Sequence, residues 1–195
     1  MSRDIIVIES RKWSTWSNAA YAVAGLVVLL TNGNDYSIFF AFSLLTLAAG
    51  SGYYHASPTW PMVMFDFWGM FVVFGAAAGI NTSIALGLEY TSLYVWIPIF
   101  LLMCFTAVYM SKFNVFISVG IYFAAAYLPL VWIWATSGDL LALSNWGRTA
   151  ASGLLFLIAL IIRQKGEKAK HAGVHNEGHA IWHFITGAAS VLIVP

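Results

Sequence analysis

Along this chain long apolar stretches alternate with short polar breaks. Seven stretches are long and apolar enough to cross a bilayer as helices: residues 13–31, 37–55, 62–80, 91–110, 114–135, 146–162 and 178–195, a helical span needing about 20 apolar residues. The breaks are built from turn formers. Thr31-Asn32-Gly33-Asn34-Asp35 separates the first pair, Ser57-Pro58-Thr59-Trp60-Pro61 the second, and Ser137-Gly138-Asp139 follows the fifth stretch. In lipid each backbone polar group must find its partner within the spanning structure, which favours helices. The pattern predicts an all-α integral membrane protein, a single seven-transmembrane helix bundle over residues 1–195. No soluble domain, low-complexity tract or internal repeat interrupts it.

Composition agrees. Hydrophobic residues make up 61% of the 195 and charged residues only 9%, against about a quarter in soluble domains. The net charge of +1 leaves no basic face for nucleic acid. The single cysteine, Cys104, lies within an apolar run, so no intrachain disulfide forms and it reads as a small core residue. The opening residues, MSRDIIVIESRKWSTWSN, lack the layout of a cleaved signal peptide, so the first apolar segment is expected to be retained as a span. With seven spans, Arg3, Arg11, Lys12, Lys112, Arg163, Lys165, Lys168 and Lys170 share one side, and only Arg148 falls on the other. The positive-inside rule puts the N-terminus in the cytoplasm and the C-terminus outside. Trp13, Trp16, Trp60, Trp96 and Trp146 fall near span ends, where tryptophan anchors at the interface.

In such a chain the ionisable residues carry the information. His55 closes the second span, Asp66 lies in the first turn of the third, and His179 and His183 open the seventh. In an up-and-down bundle these three places share the N-terminal side. The HxxxH pair puts two rings on one helix face, about 6 Å apart along the axis. A third imidazole from another helix completes three nitrogen ligands and leaves the fourth position of a tetrahedral zinc open to water, the layout of a catalytic rather than a structural site. Asp66 supplies a carboxylate able to orient that water or take its proton. Ser51 lies one turn before His55 and could donate a hydrogen bond to a carbonyl oxygen.

Plainer readings stand beside these. A single histidine at a span end is most often interfacial, and Asp66 could cap its helix behind Pro61. His171, His175, His179 and His183 all fall at four-residue spacing, so a ladder of His175, His179 and His183 is a rival ligand set. The stretch Lys168 to Gly178 is polar and broken by Gly173, which predicts a solvated loop. His175 stays a further candidate ligand and His171 a surface residue.

The blocks SGYYH (Ser51 to His55), Asp66 and HAIWHFITG near the C-terminus, with Ser17-Asn18 in the first span, resemble the alkaline ceramidases. These belong to a seven-span hydrolase superfamily that also includes the adiponectin and progestin receptors and haemolysin-III-like proteins. The resemblance covers the whole chain in span count and motif order, and individual residues only in those blocks. It implies a Zn2+ held by His55, His179 and His183, with Ser51 and Asp66 as the catalytic pair beside the water. Eukaryotic alkaline ceramidases also bind calcium through an acidic N-terminal segment. Here that region has only Asp4 and Glu9 among Arg3, Arg11 and Lys12, so calcium is not expected. Short tails and compact loops point to a bacterial homologue in the inner membrane.

The expected function is therefore a zinc-dependent lipid amidase, cleaving the amide of a ceramide or other N-acyl lipid from within the membrane. A lipid receptor or sensor of the same superfamily is the second reading. A retinal pump is disfavoured because the seventh span has no lysine, and a transporter because no chain of ionisable groups follows Asp66 through the second to sixth spans.

Overall fold

The computed structural model describes residues 12–32, 35–57, 59–89, 91–109, 115–137, 140–171 and 177–193. They form seven helices and, among the described residues, no strand. The helices are α1 (Ala19–Asn32), α2 (Asp35–Ala56), α3 (Trp60–Ala85), α4 (Leu93–Tyr109), α5 (Val115–Ser137), α6 (Leu140–His171) and α7 (Gly178–Ile193). Residues 12–17 are also helical and lead into α1 through a turn at Asn18. Four stretches, Lys12–Thr31, Asp35–Ala56, Met62–Ala85 and Gly147–Gly166, are long and apolar enough to cross a membrane, and Leu93–Met103, Gly120–Ile133 and Gly178–Ile193 are shorter apolar helices.

The helix ends follow local chemistry. Thr59 is extended (φ −110°, ψ 160°) and Pro61 lies in the first turn of α3, where the missing N–H would have had no intrahelical partner. At the other end Gly87 takes φ 63°, the left-handed conformation that ends helices and that glycine adopts without strain. The polar stretch expected as a loop after the sixth span differs. Helix α6 continues through Lys168 to His171, because Arg163, Gln164, Lys165, Glu167 and Lys168 are all good helix formers. The span ends where the apolar run ends; the helix does not. Residues 1–11, Gly33-Asn34, Gly138-Asp139 and the segment with Gly173 and His175 lie outside the described residues.

Helix α3 is central, packing on α2, α4 and α5, while α7 packs on α6 and α1, and α1 on α2. The interior holds Phe40, Leu44, Ala77, Ile80, Ala126 and Ala189, together with polar side chains such as Ser37, Asn81, Ser152 and Thr186. The periphery is apolar: Leu30, Phe42, Tyr94, Leu128 and Trp132 are all exposed. Such a surface would be a liability in water and suits lipid. The buried polar groups act as ties between helices. Asn81 on α3 donates to the Ala126 carbonyl of α5 at 2.9 Å and to the Ile193 carbonyl of α7 at 3.4 Å. Tyr127 on α5 bonds Ser152 on α6 at 2.6 Å, and Ser152 donates to the Ala189 carbonyl of α7 at 2.8 Å.

One close approach sets the spacing of the helices that carry the polar cluster. A Cβ on Gly50 of α2 would fall 2.8 Å from the Phe65 carbonyl oxygen of α3. Only a residue without a side chain lets the backbones pass there, and the neighbours of this contact are Ser51 and Asp66.

Candidate metal centre

The last two turns of α2, the second turn of α3, the first two turns of α7 and the helical turn before α1 meet at one end of the bundle. His55 is the next-to-last residue of α2, and His179 and His183 sit one turn apart on α7. Their ring centroids lie 4.7 Å (His55–His179), 5.3 Å (His55–His183) and 4.8 Å (His179–His183) apart. One nitrogen from each falls within 4.8 Å of the others. The Nε2 atoms of His55 and His179 face each other at 3.0 Å. For a tetrahedral ion with Zn–N bonds of about 2.0–2.1 Å, neighbouring donors lie about 3.3 Å apart. Two ring nitrogens aimed at one point at close to that spacing fit ligands of a single ion.

The third imidazole, His183, is oriented by a hydroxyl. Ser17 Oγ donates to the Ser14 carbonyl at 3.0 Å and lies 2.7 Å from His183 Nδ1. With its proton committed to Ser14, the Ser17 oxygen accepts from Nδ1–H. This network assigns His183 the tautomer whose Nε2 carries a lone pair. His183 is buried, whereas His55 and His179 are half-buried. Tyr21 packs tilted against the His183 ring at 5.5 Å. Its hydroxyl is held by Thr186 at 2.7 Å, and Thr186 in turn donates to the Trp182 carbonyl at 2.7 Å.

Ser51 is buried and its side chain hydrogen-bonds Asp66. Asp66 lies nearly two turns into α3, too far along to cap it, since Thr59 holds the N-cap position. The two line a small cavity of about 10 Å³ together with Tyr21, Met70, Arg163, His179 and His183. That volume holds about one water molecule. The five residues expected from the sequence, Ser51, His55, Asp66, His179 and His183, are thus brought to one place. His175 lies outside the described residues, so the ladder reading rests on sequence alone.

Two residues at this site carry roles that the sequence reading did not give them. Ser17 stood only within a quoted pair, and nothing in its local sequence ties it to a residue 166 positions away. Arg163 was counted among loop cations; instead it sits inside α6 with its guanidinium 5.2 Å from the centre of the Trp182 ring. The helix-forming run Arg163-Gln164-Lys165 was the signal that the helix continues past the apolar stretch.

No protein-family model matches this chain, and no curated protein matches it significantly.

Proposed function

We propose that the chain is a membrane-embedded, metal-dependent hydrolase that cleaves the amide of a ceramide-like N-acyl lipid, a member of the alkaline ceramidase type that its motifs resemble. The observation that supports this most directly is the set of three imidazoles whose donor nitrogens fall within 4.8 Å of one another, with the Ser51–Asp66 pair against them. Three neutral nitrogen donors with no fourth protein ligand among the described residues suit a catalytic zinc. Bound there, zinc supplies Lewis acidity and makes water a nucleophile at neutral pH. The protein's own groups do the rest. The Asp66 carboxylate accepts the proton from the attacking water and returns it to the leaving amine. The Ser51 hydroxyl, which bonds Asp66 in the resting arrangement, turns to the carbonyl oxygen as charge gathers on it. Water adds to the carbonyl carbon, the C–N bond breaks, and a fatty acid and an amine result.

The charge distribution supports an orientation with the N-terminus cytoplasmic. Apolar side chains around the bundle give acyl chains a lipid-facing approach. The sensor reading has one observation in its favour, the small size of the cavity, which requires helices to part before a lipid enters. Both readings are tested by incubating purified protein with defined ceramides and other N-acyl lipids, measuring metal and released fatty acid on the same samples. The hydrolase reading expects about one zinc per chain, lost in the His179→Ala/His183→Ala variant together with fatty-acid release. Zinc-loaded protein that releases nothing from any N-acyl lipid refutes it and favours the sensor.

A further inference from the structure

Arg163 is the residue at this site that the proposed hydrolysis leaves without work. It lines the same small cavity as Ser51, Asp66, His179 and His183. Arg163 follows directly on the apolar run and is half-buried, and a guanidinium partly withdrawn from water is costly unless something compensates it. Trp182 does so in part: the guanidinium carbon lies 5.2 Å from its ring centre, a cation–π contact that also fixes where the side chain sits. Among the described residues that line the cavity, the one carboxylate does not close around it. Asp66 hydrogen-bonds Ser51 instead and feels Arg163 only through space. The group therefore keeps N–H donors for a ligand, and its planar fork matches a carboxylate or phosphate.

The balance of charge points the same way. The imidazoles are neutral when they serve as metal ligands, and a divalent ion among them outweighs Asp66. With Arg163 added, the site carries an excess of positive charge in a partly desolvated place. A neutral ceramide does nothing to offset it.

We propose that Arg163 is the anion-binding element of this site, and that the preferred ligand is an N-acyl lipid whose amine portion carries an oxyanion close to the amide, as in an N-acyl amino acid. The choice of amide rests on the hydrolase reading; the anion preference does not. In the bound lipid the acyl chain lies among the helices, the amide faces the histidines, and the carboxylate takes the edge of the guanidinium. Arg163 acts here as a specificity-determining residue and holds no proton in the reaction.

The test is competitive binding to the metal-loaded protein in nanodiscs, using N-oleoylglycine, its uncharged primary amide, ceramide and oleate. Wild type should hold N-oleoylglycine at least about tenfold more tightly than the primary amide, the size of one charge-assisted hydrogen bond. Arg163→Gln should lose that preference while keeping its metal and its affinity for ceramide. Arg163→Lys should retain part of it, because the charge stays and the fork is lost. Equal affinity of wild type for the acid and the amide overturns the proposal, as does an undiminished preference in Arg163→Gln. If oleate alone shows the Arg163 dependence, the guanidinium holds the released fatty acid rather than the head of the substrate, and the proposal fails. Because binding is read without turnover, failure of hydrolysis leaves these outcomes readable.

Discussion

Replacing Ser17 by alanine removes a single oxygen and should loosen a metal held by residues on other helices. His183 is 2% exposed, and its Nδ1–H finds its acceptor in Ser17 Oγ at 2.7 Å. In Ser17→Ala the ring has two options. It can keep Nδ1–H on its remaining backbone partner, Ser14, losing one hydrogen bond worth about 0.5–1.5 kcal/mol. It can instead move the proton to Nε2, which blocks the nitrogen that faces the other imidazoles. Either way the metal-competent form becomes the less favoured one. Loss of such a partner typically weakens metal binding by about 10–100-fold, or about 1.4–2.7 kcal/mol, and the remaining Ser14 contact puts this case at the lower end. The assay is competition for zinc between the purified protein and a chelating dye at fixed pH. Thr186→Val is the control. It removes the hydroxyl that bonds Tyr21 at 2.7 Å one turn further along α7, without touching an imidazole nitrogen. Zinc affinity should fall in Ser17→Ala and stay near wild type in Thr186→Val. Unchanged affinity in Ser17→Ala would falsify the tautomer assignment and the ligand geometry built on it.

Three further outcomes are expected. Asp66→Asn keeps shape but loses the proton acceptor, so lipid hydrolysis should drop by about 10²–10⁴ while zinc content stays the same; wild-type turnover in this variant would remove Asp66 from the proton route. Gly50→Ala puts a methyl group 2.8 Å from the Phe65 carbonyl oxygen. It should cost about 1–3 kcal/mol in thermal unfolding and lower activity as α2 and α3 part. Gly52→Ala, whose Cβ would meet only Asn18 Cβ at 3.7 Å, should change little, and equal losses in the two variants would refute the close-approach account. Engineered cysteines near Lys168 and near Asp139 should label from opposite sides of the membrane, with only the latter reached by an impermeant reagent from outside; the reverse pattern overturns the orientation.

The helices were legible because lipid leaves a chain few choices: apolar length selects a span, and turn formers mark its end. The histidines and Asp66 were legible for a related reason. In so apolar a sequence each ionisable side chain stands out, and alternation of spans assigns it to one side of the membrane. What escaped was of two kinds. Hydrogen-bond partners distant in sequence, such as Ser17 for His183, leave no periodic mark. Arg163 was misplaced because the apolar run ends at Ile162, while helix propensity carries α6 on to His171. Hydropathy locates the membrane boundary. Propensity and capping locate the helix end, and the two need not coincide.

The depth of the site constrains what can react there. Ser51 lies five residues before the end of α2 and Asp66 six residues into α3. At 1.5 Å per residue these are about 7 to 9 Å from the helix ends. With His55 and His179 nearer still, the cluster occupies one end of the bundle, far from the middle of a hydrocarbon layer about 30 Å thick. An N-acyl lipid places its amide at the junction of polar head and acyl chain, and such a junction sits at similar depth. A lipid moving sideways in the leaflet can therefore bring its amide level with the histidines while its chain stays in the apolar layer and its head stays near water. A metal site at mid-membrane would force the head group through hydrocarbon, and one on a surface loop would force the chain into water. The position of the cluster thus adds support, independent of the identity of its residues, for a substrate that is a lipid and for a scissile bond next to its head group.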